Sequence, residues 1–183
     1  MNALPLSPDQ AQLILVDVQG KLARMMHESD ALIGQIRRLL QAARQLDIPI
    51  LWAEQLPEKL GPTVPELIEV LEDVPAMTKS SFGCCGDAAM MNAIESSRRR
   101  QVLLCGIEAH VCVWQTAFEL RARDFDVHLV ADAVSSRSAF NRDIAWRRME
   151  AIGVHLSTVE MVLFELMKDA SHPHFRAISK LLK

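Results

Sequence analysis

The sequence lacks any apolar run that approaches the roughly 20 residues needed to cross a bilayer as a helix. Its first residues also lack the basic segment followed by an apolar stretch that is typical of a secretory signal. The four cysteines, Cys84, Cys85, Cys105 and Cys112, include no CxxC pair, and the adjacent pair has poor geometry for a disulfide. We therefore expect free thiols in a reducing compartment, the cytoplasm, and no membrane partner.

The chain also lacks a large net charge of either sign. The 183 residues include 20 lysines and arginines against 23 aspartates and glutamates, which gives a net charge of −3. The one basic run, the three arginines at 98–100, precedes a predicted strand and fits a solvated helix end. Nucleic acid and anionic lipid are therefore not expected as partners. Half of the residues are hydrophobic, which predicts one globular domain over 1–183.

Short apolar runs alternate with amphipathic stretches along the chain. This pattern predicts strands at 12–18, 49–53, 76–79, 101–105, 127–131 and 154–157, and helices at 31–45, 88–96, 111–124 and 141–152, with two short helices at the end. Strands that alternate with helices predict an α/β fold with a parallel sheet covered on both faces. Functional sites in such folds lie beyond the carboxyl ends of the strands, so the residues there are the candidates.

Two charged residues at predicted strand ends are candidates for a functional site. Asp17 interrupts the apolar run "ILVDVQ", where a carboxylate is unfavourable unless it has a partner. Lys79 ends a short strand and begins the turn "KSSFGCCG", so its ammonium could be that partner. A purely structural salt bridge between neighbouring strands is the alternative interpretation.

Cys112 lies in the first turn of the helix predicted at 111–124. At 100° per residue its side chain falls opposite a broad apolar arc, formed by Val113, Trp114, Ala117, Phe118, Leu120 and Phe125. Unpaired amides and the helix dipole at this position favour a thiolate with a lowered pKa. The alternative is a small buried residue at a strand–helix junction.

The three candidates, Asp17, Lys79 and Cys112, suit acyl transfer to a cysteine followed by hydrolysis. A carboxylate could take the proton of the thiol, an ammonium could stabilise both charges, and amides at the helix start could bind an oxyanion. Other strand-end chemistries fit less well. A phosphatase of the DxD type needs an acid where this chain has Gln19, and only Gly20 follows the first strand in place of a dinucleotide motif. No histidine lies between residues 27 and 110, so no metal is expected.

These three residues lie in motifs that resemble the isochorismatase-like (cysteine) hydrolase superfamily, namely "LILVDVQ", "TKSSF" and "GIEAHVCV". The segments "WAEQLPEKLGPTVPEL", "DAVSSRS" and "HPHF" resemble its isochorismatase domain-containing branch, and the likeness covers nearly the whole chain. The resemblance implies a Rossmann-like, three-layer α/β/α sandwich with a six-stranded parallel sheet, and a catalytic triad of Asp17, Lys79 and Cys112. It also implies a cis peptide bond between Ile107 and Glu108, which would aim the amides of Glu108 and Cys112 into an oxyanion hole.

The resemblance also bears on substrate, cofactor and assembly. Nicotinamidases of the superfamily have an Asp-x-His metal motif where this chain has Glu54 and Gln55, so a metal-free hydrolase without a cofactor is expected. Retention of Cys112 favours a small amide or carbamoyl-type substrate and a thioester intermediate. A vinyl ether hydrolase of the isochorismatase type, a low-turnover ligand-binding or scaffold protein, and an oxidant-responsive thiol protein are the alternatives. Relatives self-associate, so a homo-oligomer is expected.

Four further residues are expected to line the substrate pocket: Gln19, Glu54, Gln55 and Phe82. All four lie at predicted strand ends or in adjacent turns. Glu54 could instead be a salt-bridge partner at the sheet edge, and Phe82 could be only a hydrophobic cap.

Overall fold

Six parallel strands form the centre of the protein, seen here in a computed structural model that describes residues 5–183. The strands are β1 Ala11–Val16, β2 Ile50–Gln55, β3 Ala76–Lys79, β4 Gln101–Gly106, β5 Asp126–Val134 and β6 His155–Ser157. They lie in the order β3-β2-β1-β4-β5-β6, and every neighbouring pair is parallel. The predicted α/β sandwich with a six-stranded parallel sheet is confirmed.

Helices cover both faces of this sheet. They are α1 Gly20–Arg24, α2 Ser29–Gln45, α3 Pro57–Leu60, α4 Pro65–Ile68, α5 Ala88–Ser96, α6 Trp114–Arg121, α7 Ala139–Ala151, α8 Val159–Met167 and α9 Phe175–Leu181. Helix α2 contacts α8 and α9, whereas α6 contacts α7, so the sheet has a helical layer on each side. All residues of β1 and β4 are buried, as the apolar runs that make up most of the two strands predict. No helix within residues 5–183 is both long enough and apolar enough to cross a membrane.

Two boundary predictions are wrong in ways that matter for the site. Strand β1 ends at Val16 and does not extend to residue 18, because Asp17 adopts a left-handed backbone conformation with φ of 53°. The helix predicted at 111–124 begins instead as a π-helical turn, Ala109–Val113, and becomes α-helical only at Trp114. A π turn holds more residues than an α turn, so a constant 100° step misplaces side chains on either side of the junction.

The apolar arc predicted for this helix is therefore only partly correct. Val113, Ala117, Leu120 and Phe125 are buried, but Phe118 is 53% exposed and Trp114 is half-buried. Thr116, which the projection placed on the polar side with Cys112, is completely buried. Three helices were not predicted at all, namely α1, α3 and α4, because four or five residues are too few to show a helical period.

The order of the strands reverses between β1 and β4, where chain connections leave in opposite directions. Gly106, the last residue of β4, pairs with Val16 and has a φ of 117°. A Cβ atom at this position would lie 2.1 Å from the carbonyl oxygen of Val16, so only glycine fits. Ile107 then donates its amide to the same carbonyl at 2.9 Å. This close approach places the loop after β4 directly beside the end of β1.

Candidate active site

Asp17, Lys79 and Cys112 meet beyond the carboxyl ends of β1, β3 and β4. Lys79 Nζ lies 2.7 Å from Asp17 Oδ2, and the two side chains are 0% and 3% exposed. The Cys112 thiol is close enough to the Asp17 carboxylate for each to shift the pKa of the other. The structure thus brings the predicted trio together. Cys112 is the most exposed of the three, at 8%.

The Lys79 ammonium is enclosed by oxygen acceptors. Besides Asp17 it donates to Gln55 Oε1 at 2.8 Å, to the Phe82 carbonyl at 3.0 Å and to the Ser81 carbonyl at 3.2 Å. An ammonium has three protons, so these four acceptors use its entire donor capacity. Lys79 is therefore held in one position and fixes a positive charge beside Asp17.

Asp17 is held by its backbone and has one unoccupied oxygen. Its amide donates to the Ala53 carbonyl at 3.1 Å, which attaches the residue to the end of β2. Its Oδ1 atom is buried without a hydrogen bond of ordinary geometry to any of residues 5–183. Burial raises the pKa of the Asp17 carboxyl, and the neighbouring Lys79 ammonium opposes that rise. The result is a buried carboxylate that contacts the Lys79 ammonium and lies beside the Cys112 thiol.

The expectation of a lowered pKa for Cys112 is wrong. Burial raises the pKa of the Cys112 thiol above its ordinary value, and the negative charge of Asp17 raises it further, while Lys79 compensates only in part. The helix-start argument fails because the cysteine is desolvated and its nearest charge partner is an anion. Cys112 is accordingly a neutral thiol in the free protein at neutral pH.

Thr116 links the turn that holds Cys112 to the turn that follows Lys79. Its Oγ1 donates to the Cys112 carbonyl at 2.7 Å and accepts from the Cys84 amide at 3.0 Å. Sequence reasoning gave this residue no role. Its spacing of four residues from Cys112 is the signal that was available, since a threonine hydroxyl commonly bonds the carbonyl four residues back.

The loop between β4 and the π-helical turn is fastened to the segment after β5. The peptide bond between Ile107 and Glu108 is cis. The Glu108 carboxylate accepts from the Arg137 amide at 3.0 Å and from Arg137 Nε at 3.2 Å, and the Ala109 amide donates to the Ser135 carbonyl at 2.8 Å. The Glu108 amide itself donates to no acceptor within the described part of the chain. Arg137 was missed as a partner, although it lies in the motif "DAVSSRS".

The four residues expected to line the pocket have different surroundings. Gln19 is fully buried, where its side chain donates to the Gly61 carbonyl at 2.7 Å and accepts from the Gln55 amide at 2.6 Å. Glu54 accepts from the Thr63 amide at 2.7 Å. These contacts position backbone segments around the site, as does the bond between Gln55 and Lys79.

Phe82 differs from the other three because its ring is 55% exposed while its carbonyl contacts Lys79. Its surroundings fit the hydrophobic cap that was the alternative interpretation. A role in substrate contact stays a prediction for all four residues.

Comparison with known proteins identifies the family. Residues 11–161 match the isochorismatase domain. The chain belongs to the isochorismatase family. Isochorismatase domain-containing protein 2 of Danio rerio is 43% identical over 177 residues, which cover 97% of this chain and 89% of the relative. The resemblance drawn from the sequence motifs is therefore confirmed, and the chain is an isochorismatase-family hydrolase.

Solved structures agree with this assignment. The MAR1 ribonuclease from Caenorhabditis elegans superposes with a TM-score of 0.93 at 39% identity, over 98% of this chain and 92% of the other. The YcaC gene product of Escherichia coli, described as an octameric hydrolase of unknown specificity, gives a TM-score of 0.93 at 25% identity, over 100% and 91% of the two chains. Both likenesses extend over nearly the whole isochorismatase-family chain.

Proposed function

We propose that this chain is a metal-free cysteine hydrolase that cleaves a small amide or carbamoyl-type compound through a thioester on Cys112. The supporting observation is the placement of the Asp17 carboxylate between the Lys79 ammonium, which contacts Oδ2, and the Cys112 thiol. A carboxylate that already has an ammonium as its countercharge, beside amides and a thiol, is a poor site for a divalent ion. The proposed reaction therefore uses only protein groups.

In the first half of the reaction, the sulfur of Cys112 attacks the carbonyl carbon while Asp17 takes the thiol proton. The carbonyl π electrons move to oxygen, and the amides of Glu108 and Cys112 bind the resulting oxyanion. The C–N bond then breaks, Asp17 returns the proton to the leaving nitrogen, and a thioester is left. Transfer during attack suits this site because the resting thiol is neutral.

In the second half, water replaces the departed amine. Asp17 takes a proton from the water, whose oxygen attacks the thioester carbonyl, and the C–S bond breaks. The thiolate recovers its proton from Asp17, which restores the starting state. A carboxyl with a pKa raised by burial is a stronger base than an ordinary aspartate, and the Lys79 ammonium stabilises its charged form.

A small substrate is favoured over a polymer. The side chains of Asp17 and Lys79 are almost entirely enclosed, and the chain has a net charge of −3. RNA binding depends on a positive surface that neutralises phosphates. The C. elegans relative is named a ribonuclease, so RNA cleavage is a direct alternative that the same assay panel tests.

We further propose that the chain forms a homo-oligomer. The E. coli neighbour is octameric, and this chain exposes the large apolar side chains of Phe118, Phe140, Met161 and Phe164. Light scattering coupled to size exclusion would measure the mass. A monomer at micromolar concentration would contradict this part of the proposal.

The function is tested by turnover assays on amides, carbamoyl compounds, esters, a vinyl ether and RNA. We expect hydrolysis of an amide or carbamoyl compound, and acid quenching during turnover should trap an acyl group on Cys112 by mass spectrometry. Cys112→Ala should abolish both signals, whereas the matched Cys85→Ala variant should retain them. Turnover that persists in Cys112→Ala, or that is confined to the vinyl ether or RNA, would overturn the proposal.

A further inference from the structure

We propose that Asp126, His128 and His155 form a binding site for a divalent transition-metal ion of the Zn²⁺ or Co²⁺ type. This His–Asp cluster lies at the opposite end of the sheet from Cys112. Asp126 and His155 are the first residues of β5 and β6, whereas the candidate active site lies beyond the carboxyl ends of the strands. The proposed metal site is therefore separate from the proposed hydrolytic chemistry.

The sheet itself brings the three side chains together. Asp126 and His128 are two residues apart on β5, so they project from the same face. His155 pairs directly with His128 in the register between β5 and β6. Three potential ligands from two adjacent strands consequently share one patch of the sheet, without dependence on any flexible loop.

The distances suit a metal ion. His155 Nε2 lies 3.1 Å from Asp126 Oδ1, and His128 Nε2 lies 3.3 Å from Asp126 Oδ2. Two ligands of a tetrahedral zinc ion, each bonded at its usual length, are about 3.3–3.4 Å apart. One ligand atom from each residue lies within 4.8 Å of the other two, so the three donors would have to move closer together to coordinate one ion. A metal ion would take the place of the hydrogen bond between His128 Nε2 and Asp126 Oδ2 and of the direct contact between His155 Nε2 and Asp126 Oδ1.

The donor types determine the class of ion. Two imidazoles and one carboxylate suit Zn²⁺, Co²⁺, Ni²⁺ or Fe²⁺, whereas Mg²⁺ and Ca²⁺ require mainly oxygen ligands. His128 is almost completely buried, but the His155 side chain is 39% exposed and that of Asp126 is 26% exposed. The ion therefore has an entry path from solvent, and a water molecule can supply the fourth ligand.

Metal binding would stabilise strand β6 at the edge of the sheet. Strand β6 has only three residues and pairs with β5 alone. An ion held by His155 on β6 and by two ligands on β5 would bridge the two strands. Because the three ligands converge only in the folded chain, bound metal would raise the thermal midpoint, by an amount that grows with the logarithm of the ratio of the metal concentration to its dissociation constant.

The test uses Co²⁺ and a chain without a histidine tag, stripped of metal with chelator. Cys112→Ala serves as the parent so that the active-site thiol does not compete for the ion. We expect the parent to bind one Co²⁺ per chain, with visible d–d absorption, no thiolate charge-transfer band and a raised thermal midpoint. His155→Gln and Asp126→Asn, each added to this parent, should weaken binding roughly tenfold or more.

The matched control is His172→Gln in the same parent, since His172 and His174 form another close histidine pair, with ring centroids 5.7 Å apart. It should leave Co²⁺ binding unchanged. The proposal is overturned if the parent shows no d–d absorption or if His155→Gln binds as tightly as the parent. It is equally overturned if His172→Gln abolishes binding. In the last two cases the ion lies elsewhere. In the first case the three side chains are only electrostatic partners of one another.

Discussion

Lys79 and Asp17 form a salt bridge at 2.7 Å from which solvent is almost completely excluded. Buried ion pairs contribute little net stability, because desolvation offsets the attraction, but removing one partner leaves an uncompensated charge. In this protein the pair also fixes the carboxylate beside Cys112. The salt bridge therefore serves the position of Asp17 more than the stability of the fold.

Substitution of the lysine tests this view through stability. Lys79→Met should lower the free energy of unfolding by about 3–5 kcal/mol, because Asp17 is left buried without its countercharge. Urea denaturation followed by circular dichroism provides the measurement. Arg24→Met is the control, since Arg24 and Glu66 pair at 2.6 Å on the surface, where such pairs contribute little. An equal decrease in the free energy of unfolding for Lys79→Met and Arg24→Met would show that loss of the buried partner is no more destabilising than loss of the surface partner.

The raised pKa of Cys112 predicts an unusual labelling pattern. In the folded wild-type protein, iodoacetamide should react slowly with Cys112 at pH 7, and the rate should rise only well above pH 9. Asp17→Asn should accelerate labelling at a given pH, because loss of the negative charge lowers the pKa of the thiol and increases the thiolate fraction. The same variant should lose turnover, because the proton acceptor is gone.

Labelling is resolved by residue with mass spectrometry. Cys105 is fully buried in β4 and should stay unlabelled in both proteins as long as they are folded. Slower or unchanged labelling of Cys112 in Asp17→Asn would contradict the electrostatic account of this thiol.

Stability should fall at alkaline pH because of the buried thiols. Burial raises the pKa of Cys84 to about 12, whereas a thiol in the unfolded chain titrates at about 8.5–9. Between these values the unfolded chain binds fewer protons than the folded chain, so the free energy of unfolding decreases as pH rises. The contribution of Cys84 is complete below pH 8.5 and is lost progressively up to about pH 12.

The slope of stability against pH isolates this effect. The free energy of unfolding of Cys84→Ala should fall less steeply with pH than that of the wild type, by about 1.4 kcal/mol per pH unit between the two pKa values. This difference in slope does not depend on how the substitution changes absolute stability. The sequence contains no tyrosine, and the lysines and the other cysteines that titrate in this window are common to both proteins, so they cancel in the difference between the two slopes. Identical slopes in wild type and variant would contradict the assignment of the alkaline pH dependence to the buried Cys84 thiol.

The hydroxyl of Thr116 should be essential for the fold around the site. Thr116→Val keeps the shape but removes the acceptor for the Cys84 amide, and an unsatisfied buried amide costs about 1–3 kcal/mol. Thr116→Ser retains the hydroxyl and should lose much less. Thermal unfolding of the two variants measures the difference, and a serine variant as unstable as the valine variant would refute a hydrogen-bonding role.

The convergence of Asp17, Lys79 and Cys112 could be predicted because the carboxyl ends of parallel strands meet at one edge of a sheet. The direction of the Cys112 pKa shift could not, because it depends on burial and on the proximity of Asp17, 95 positions earlier in the sequence. The helix-start argument considers only local backbone. It also assumes an α-helical first turn, and the π-helical turn has no signature in the hydrophobic pattern.

Partners that are distant in sequence were missed for the same reason. Arg137 donates to Glu108, 29 residues earlier in the sequence. The Thr116 hydroxyl accepts a hydrogen bond from the amide of Cys84, 32 residues earlier. His128 and His155 become neighbours only when β5 and β6 pair in register. Each of these contacts depends on which segments become neighbours in the folded chain, and the alternation of strands and helices does not specify that.

Lys79 Nζ is surrounded by four oxygen acceptors, which come from Asp17, Gln55, Ser81 and Phe82 and form an oxygen cage. In this cage the ammonium resembles a bound monovalent cation that is covalently attached to the chain. A potassium ion in such a cage would exchange with the buffer, but the lysine cannot leave. A planar guanidinium would not suit acceptors that approach from several directions, so arginine is a poor substitute here. The field that acts on Asp17 should consequently be almost independent of ionic strength, because mobile ions cannot enter the space between the two charges.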